Sequence, residues 1–426
     1  MRSACKKFFL QTFGCQMNVY DGLRIEGMLT GLGYEKAEKA MDADVIILNS
    51  CSVREKATNK IFSELGRIRD VKKPNAIFGI VGCVARESGG AAFRRIPELN
   101  FVLGPQQYHK LPLVLENPDA KHLYIDLSGL EKFDELPKMT HSELSAYIPI
   151  QEGCSHCCTY CIVPFTRGPG ISRPFGDVIA DVELAAKQGA IEICFLGQNV
   201  NGYKYNLAAL IKEVAKLSQI KRVRYTSSYP SEMTTELIEL HGDEPKLLPF
   251  LNLPLQSGSE NILRAMGRPY DIGEYMEIIE KLRAAKPDIQ ISSDFIVGFP
   301  GELDSDFEQT CDVARRVGYI NSYSFKYSPR PHTAAAAMKN QIPDSVKRDR
   351  LKILDGIIGE NMRRFNQSCI GKIFDCLFES TDKFGNFIYR TPFMQQVVVE
   401  KDGGAFCGIE ITNGNKCSLR GKICRL

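Results

Sequence analysis

The apolar positions of this chain change their period twice. Through residue 125, continuous apolar runs at 8–13 (FFLQTF), 45–50 (VIILNS) and 77–82 (IFGIVG) alternate with stretches of helical spacing. Strands that are apolar at every position are buried on both faces, so these runs predict a parallel sheet with helices on each side. From about residue 145 a second α/β pattern begins, with strands predicted at 146–152, 191–197, 223–228, 250–256, 289–299 and 321–327. Helical stretches separate them; within 177–188, Val178, Val182 and Ala185 fall on one face. Six strand–helix units predict an incomplete (βα)6 barrel. Residues 343–365 have the pattern of an amphipathic helix, and five short β-type runs punctuated by turn residues complete the chain, predicting a small β-barrel. The expected fold class is therefore α/β: an N-terminal parallel-sheet domain (1–125), a barrel core (140–365) and a C-terminal β-barrel (366–426). Residues 116–146 are polar and irregular, as in a linker.

Composition narrows the setting. The chain has 426 residues, 44% hydrophobic and 25% charged, enough for two or three domains. It contains no apolar run of the roughly 18–20 residues that a membrane span needs, and its first segment fits a strand better than a secretion signal. A cytoplasmic protein is expected, and in that reducing compartment 15 cysteines point to metal or redox chemistry rather than disulfides. The net charge of +3 is unevenly spread. Residues 361–426 hold ten Lys/Arg against six Asp/Glu, a balance of +4, with Phe384, Phe387 and Tyr389 among the basic positions. Charge interleaved with aromatic rings suits an RNA surface.

Six cysteines carry the chemistry. Cys15, Cys51 and Cys83 each follow one of the first three apolar runs. In an open parallel sheet those positions are the carboxyl ends of strands, where such folds place ligands, so the three converge on one edge. Cys154, Cys158 and Cys161 lie in GCSHCCTYCIVP, after the first strand of the barrel. Three thiolates are one short of a closed iron–sulfur or zinc site. A [4Fe–4S] cluster on three cysteines keeps an open iron, which can bind the amino and carboxylate groups of S-adenosylmethionine (SAM) for reductive cleavage. A second such cluster on Cys15, Cys51 and Cys83 can carry sulfur, and the pair points to sulfur insertion at a carbon–hydrogen bond. Zinc with His156 or a distant residue as fourth ligand is the alternative. Spacing alone also permits Cys157 in place of Cys158. Tyr160, Gly197, Gln198 and Asn199 sit at the barrel mouth and are candidates for the SAM pocket. The Gly-rich SDFIVGFPGE (293–302) is as compatible with a tight turn as with a cofactor approach.

Seven segments then carry a resemblance: TFGCQMN (12–18), NSCSVREKA (49–57), GCVAR (82–86), EGCSHCCTYCIVPFTRG (152–168), LGQNVN (196–201), LPLQSGS (253–259) and SSDFIVGFPGE (292–302). In this order and almost end to end, they resemble the radical SAM methylthiotransferase family. The resemblance implies an auxiliary [4Fe–4S] cluster on Cys15, Cys51 and Cys83, a radical SAM barrel with a cluster on Cys154, Cys158 and Cys161, and an RNA-gripping TRAM domain. It sets Cys157 aside as a ligand. The wording after the second cysteine is similar to members that methylthiolate C2 of N(6)-isopentenyladenosine at position 37 of tRNA. Partners implied are a tRNA anticodon stem-loop and a flavodoxin- or ferredoxin-type electron donor. Relatives acting on threonylcarbamoyl-adenosine or a ribosomal protein, and a noncatalytic metal-stabilised RNA-binding protein, are the rival readings. Gly170 stands where the family usually has an acidic residue, and His332 and Ala334 where glycine and proline are usual.

Overall fold

The computed structural model describes residues 5–52, 55–127, 133, 136 and 143–425. Six parallel strands form the first sheet, in the spatial order Glu35–Lys36, Lys7–Phe13, Val45–Ser50, Ile77–Gly82, Phe101–Leu103, His122–Tyr124. The two central runs are buried at every position. Separate apolar clusters cover the two faces, one around Ile46, Leu48 and Phe78, the other around Phe8, Ile47 and Phe101. Part of the expected linker, within 128–142, falls outside the described residues; its first part contributes the edge strand His122–Tyr124.

The second unit is the expected partial barrel. Ser145–Pro149, Glu192–Leu196 and Arg222–Tyr225 pair in parallel, as do Phe250–Asn252 with Gln290–Ser292 and Asp294–Val297 with Tyr323–Lys326. Single bridges, Val223 to Leu247 and Gln256 to Phe295, connect the groups. Among the described residues, no pairing joins the first strand to the last. The helix Gln16–Gly31 of the first unit stands against this open cylinder, with Met17 and Tyr20 packed on Cys194 and Leu196.

The helix Asp344–Ser368 leads into a closed barrel of five strands, Ile373–Thr381, Phe387–Arg390, Gln396–Val399, Phe406–Gly414 and Leu419–Arg425. Closure leaves no free sheet edge. This barrel docks at the amino ends of the larger barrel's strands, where Arg222 donates to the carbonyls of Arg390 and Asp375, and Asn321 to that of Phe393. The GFPGE segment is a tight turn. Glu302 accepts from the Gly298 N–H at 2.6 Å and pairs with Arg350 of the long helix at 2.5 Å.

Candidate site: two cysteine sets at one seam

Each cysteine of the first set follows a strand of the first sheet. Two glycines let the connecting backbones close in. Gly14 has φ +137°, and a Cβ there would stand 2.6 Å from the Cys51 Cβ; Gly82 has φ +90°, and a Cβ there would stand 2.6 Å from the Asn49 Oδ1. Asn18 and Asn49 lock the loops together: Asn18 Nδ2 donates to Asn49 Oδ1 at 3.1 Å, and Asn49 Nδ2 to the Asn18 carbonyl at 2.8 Å. Cys15 is an exposed residue, and its thiol lies 3.3 Å from Asn18 Oδ1. A hydrogen bond from Cys51 and the nearby Arg167 charge bring the Cys15 thiol down to about 6. Cys51 and Cys83 are buried, and burial pushes the Cys83 thiol up against the pull of Arg167. The structure thus brings the three together, as their place in the pattern predicts.

The second set lies on the loop after Ser145–Pro149. The Cys154 N–H donates to the Gly168 carbonyl at 3.0 Å and the Cys161 N–H to that of Cys158 at 3.0 Å, which folds the loop back on itself. Burial raises the thiols of Cys154 and Cys161, the latter to about 12, and the neighbouring cysteine charges, Cys158 among them, add to both rises. Groups held neutral in this way release their protons when a metal competes for the sulfur. Cys157 is exposed, with its thiol directed to the Ser155 carbonyl at 3.8 Å. Cys158 instead has Arg268 Nη1 at 3.8 Å.

Of the four SAM-pocket candidates, three grip the cysteine loop. Gln198 Oε1 accepts from the Gly153 N–H at 2.6 Å. The Asn199 N–H donates to Gln151 Oε1 at 2.9 Å, and Asn199 Nδ2 to Glu232 Oε2 at 2.6 Å. Gly197 lies so close to Gln151 that a Cβ would stand 3.0 Å from its Oε1. Tyr160 is half-buried against Ile262, Met266 and Phe299, its hydroxyl pushed well up by desolvation. His156 stacks on Tyr229 at 3.7 Å and meets Glu232 at 2.9 Å.

Arg167, Arg268, Glu232, Asn18 and Asp21 were not singled out by the sequence. Asn18 and Asp21 had a signal, being polar residues one turn apart after Cys15 on a helix whose Met17 and Tyr20 are also buried. Arg268 had none. Its guanidinium stacks on Tyr229 at 4.3 Å and donates to the Pro254 carbonyl, contacts with other loops, as well as to the nearby Tyr270 Oη. Gly170 N–H donates to Ser155 Oγ at 3.1 Å, and a Cβ there would stand 2.9 Å from Gln151 Nε2, so this backbone closes on the cysteine loop. His332 has φ +66°, the left-handed conformation glycine favours, and its ring stacks on Phe165 at 3.9 Å.

The donor chemistry fits two cubanes. Thiolates sharing one tetrahedral ion stand about 3.8 Å apart, from metal–sulfur bonds of about 2.3 Å. In a cubane each thiolate binds a different iron, so the sulfurs lie farther apart. Among the described residues, no three His, Cys, Asp or Glu side chains crowd around a single-ion position, and each set offers three soft donors, leaving one corner open.

A partial parallel barrel with three thiols on its first loop defines the radical SAM class. Residues 148–314 match the Radical SAM superfamily, and residues 7–104 the Uncharacterized protein family UPF0004. The radical S-adenosylmethionine methyltransferase TsrM from Kitasatospora setae shares the fold at TM-score 0.58 and 12% identity, over 88% of this chain and 79% of that one. The cobalamin-dependent radical enzyme OxsB follows at TM-score 0.52 and 12% identity, over 83% and 56%. The chain belongs to the family of the tRNA-2-methylthio-N(6)-dimethylallyladenosine synthases. It is 45% identical over 443 residues to the one from Rickettsia rickettsii (strain Sheila Smith), covering 98% of this chain and 99% of that protein. The relative from Rickettsia bellii (strain OSU 85-389) is 45% identical over 445 residues, covering 99% and 100%.

Proposed function

We propose that the protein methylthiolates C2 of N(6)-isopentenyladenosine at position 37 of tRNA, using SAM and two [4Fe–4S] clusters. The observation that carries this reading is a pair of three-thiol sets, with Arg167 of the second set's segment reaching Cys83 of the first at 3.3 Å, in a chain 45% identical to the synthases along nearly its whole length. Cys154, Cys158 and Cys161 hold the SAM-cleaving cluster, and Cys15, Cys51 and Cys83 the sulfur-bearing one. When bound, these groups supply a carbon-centred radical and a transferable sulfur.

The chain's own residues position and shield. Gln198 and Asn199 fix the cysteine loop through Gly153, Gln151 and Glu232. With Gly197 and Tyr160 they border the SAM pocket. Met17 and Tyr20 pack on Cys194 and Leu196 and so fix the first unit against the barrel. Holding the adenosine carbon about 3–4 Å from the reacting group is the main service the barrel renders.

The three units divide near residues 125, 140 and 365. The anticodon stem-loop binds the C-terminal barrel, whose basic balance and Phe384, 78% exposed beneath Lys383 at 4.9 Å, offer charge and a stacking face. A flavodoxin- or ferredoxin-type protein supplies electrons in the cytoplasm; no helix among the described residues is long and apolar enough to cross a membrane. The test is anaerobic reconstitution with SAM, reductant and isopentenylated tRNA, then nucleoside mass spectrometry. Gain of a methylthio group is expected. Its absence there, with gain on threonylcarbamoyl-adenosine RNA or a ribosomal protein, would reassign the substrate.

A further inference from the structure

Arg167 lies six residues beyond Cys161, on the segment that carries the second cysteine set, yet its guanidinium is spent on the first. Nε donates to Cys83 Sγ at 3.3 Å, Nη1 to Glu152 Oε1 at 2.8 Å and Nη2 to Asp21 Oδ2 at 3.0 Å. The arginine side chain is 3% exposed and both carboxylates 1%. Tyr108 donates to the same Asp21 oxygen at 3.1 Å, and Gln106 to the Arg167 carbonyl at 2.9 Å. Burial opposes the charge on Arg167, and Cys83, Asp21 and Glu152 more than restore it.

Stability is a weak reason for such an arrangement, since well-packed apolar residues commonly serve as well as a buried ionic triad. The contact with sulfur supplies a stronger one. Reducing a thiolate-ligated cluster adds negative charge, which a cation and an N–H donor at a ligand sulfur stabilise. We propose that Arg167 is a positioning residue that raises the reduction potential of the cluster on Cys15, Cys51 and Cys83, by presenting an N–H and a positive charge to the Cys83 sulfur. Asp21 and Glu152 hold the guanidinium in place and partly offset it. Because Glu152 precedes Cys154 and Arg167 follows Cys161, the same triad clamps both ends of the SAM-side loop. The inference rests on the cluster assignment proposed above.

The test uses the full chain with Cys154, Cys158 and Cys161 replaced by alanine, so that a single cluster remains. After reconstitution, iron and sulfide are counted, and reduction by dithionite through mediator dyes is followed by electron paramagnetic resonance. Arg167→Gln is expected to lower the midpoint, and Asp21→Asn, which removes an anion from the same triad, to raise it. Loosened packing alone would move both in one direction, so shifts of the same sign, or none, overturn the inference. Where Arg167→Gln holds no iron, Asp21→Asn decides alone: an unmoved or lowered midpoint is refuting. A parent chain that binds no iron on Cys15, Cys51 and Cys83 sinks the cluster assignment itself, and the inference with it.

Discussion

Replacing Gly14 by alanine should remove one cluster and spare the other. The new Cβ would stand 2.6 Å from the Cys51 Cβ, 2.7 Å from Asn18 Oδ1 and 3.1 Å from the Cys51 nitrogen. Carbon atoms in contact sit about 3.5–4.0 Å apart, so about 1 Å of overlap must be relieved. Metal–ligand distances tolerate about 0.2 Å. The displacement is thus roughly five times what a thiolate on a cluster can absorb. The left-handed backbone adds about 1–2 kcal/mol of strain for any residue with a side chain. Iron and labile sulfide per reconstituted chain should fall from about eight to about four of each. Release of 5′-deoxyadenosine should persist, because the SAM-side loop is untouched, while methylthiolation should vanish. Gly27→Ala is the control: its Cβ meets nothing within 4 Å, and alanine inside the helix should add about 1 kcal/mol of stability. A Gly14→Ala protein with full iron content would refute the claim that the close approach of these loops builds the site.

Other outcomes follow from the same geometry. In the metal-free protein, iodoacetamide should modify the Cys15–Cys51 pair with a first midpoint near pH 6, well below an ordinary thiol, and Arg167→Gln should raise that midpoint. Gln198→Ala removes the acceptor of the Gly153 N–H, a bond worth about 1 kcal/mol, and should lower iron retention on the SAM side alone, read in a chain lacking Cys15, Cys51 and Cys83. His241, beneath Tyr225 Oη at 2.8 Å, is brought to about 3 by burial and, secondarily, by Lys286. The folded state therefore refuses a proton that the unfolded chain accepts near pH 6.5. Stability should fall as pH drops from 6.5 towards 3, by about 1.4 kcal/mol per unit from this site, and His241→Gln should flatten that slope in denaturant titrations. His332→Gly relieves a left-handed backbone but loses the stack on Phe165, so the melting temperature should change little, by the equivalent of about 1 kcal/mol or less.

Legibility in the sequence followed burial. The runs at 45–50 and 77–82 match their strands residue for residue because both faces are covered. Phe101–Leu103 and His122–Tyr124 escaped notice, being three residues each and near the sheet's edge. The run at 289–299 divides at Ser293, whose N–H goes to Ser322 Oγ and whose hydroxyl accepts from the Leu255 N–H, contacts that no periodicity reports. The run at 250–256 stops at Asn252 because Pro254 cannot donate to a ladder. Cys15, Cys51 and Cys83 stood out because each follows an apolar run, and Cys154, Cys158 and Cys161 because of their close spacing. Their polar surroundings did not, because Arg167 meets Asp21 across 146 positions of chain.

The docking of Met17 and Tyr20 on Cys194 and Leu196 constrains how such a protein can be taken apart. Severed from the segment ending at Tyr124, the larger barrel would turn a strip of oily side chains towards water. A descendant that shed its leading sheet would have to repaint that strip with polar residues, or recruit another helix to cover it, before it could persist as a well-behaved molecule.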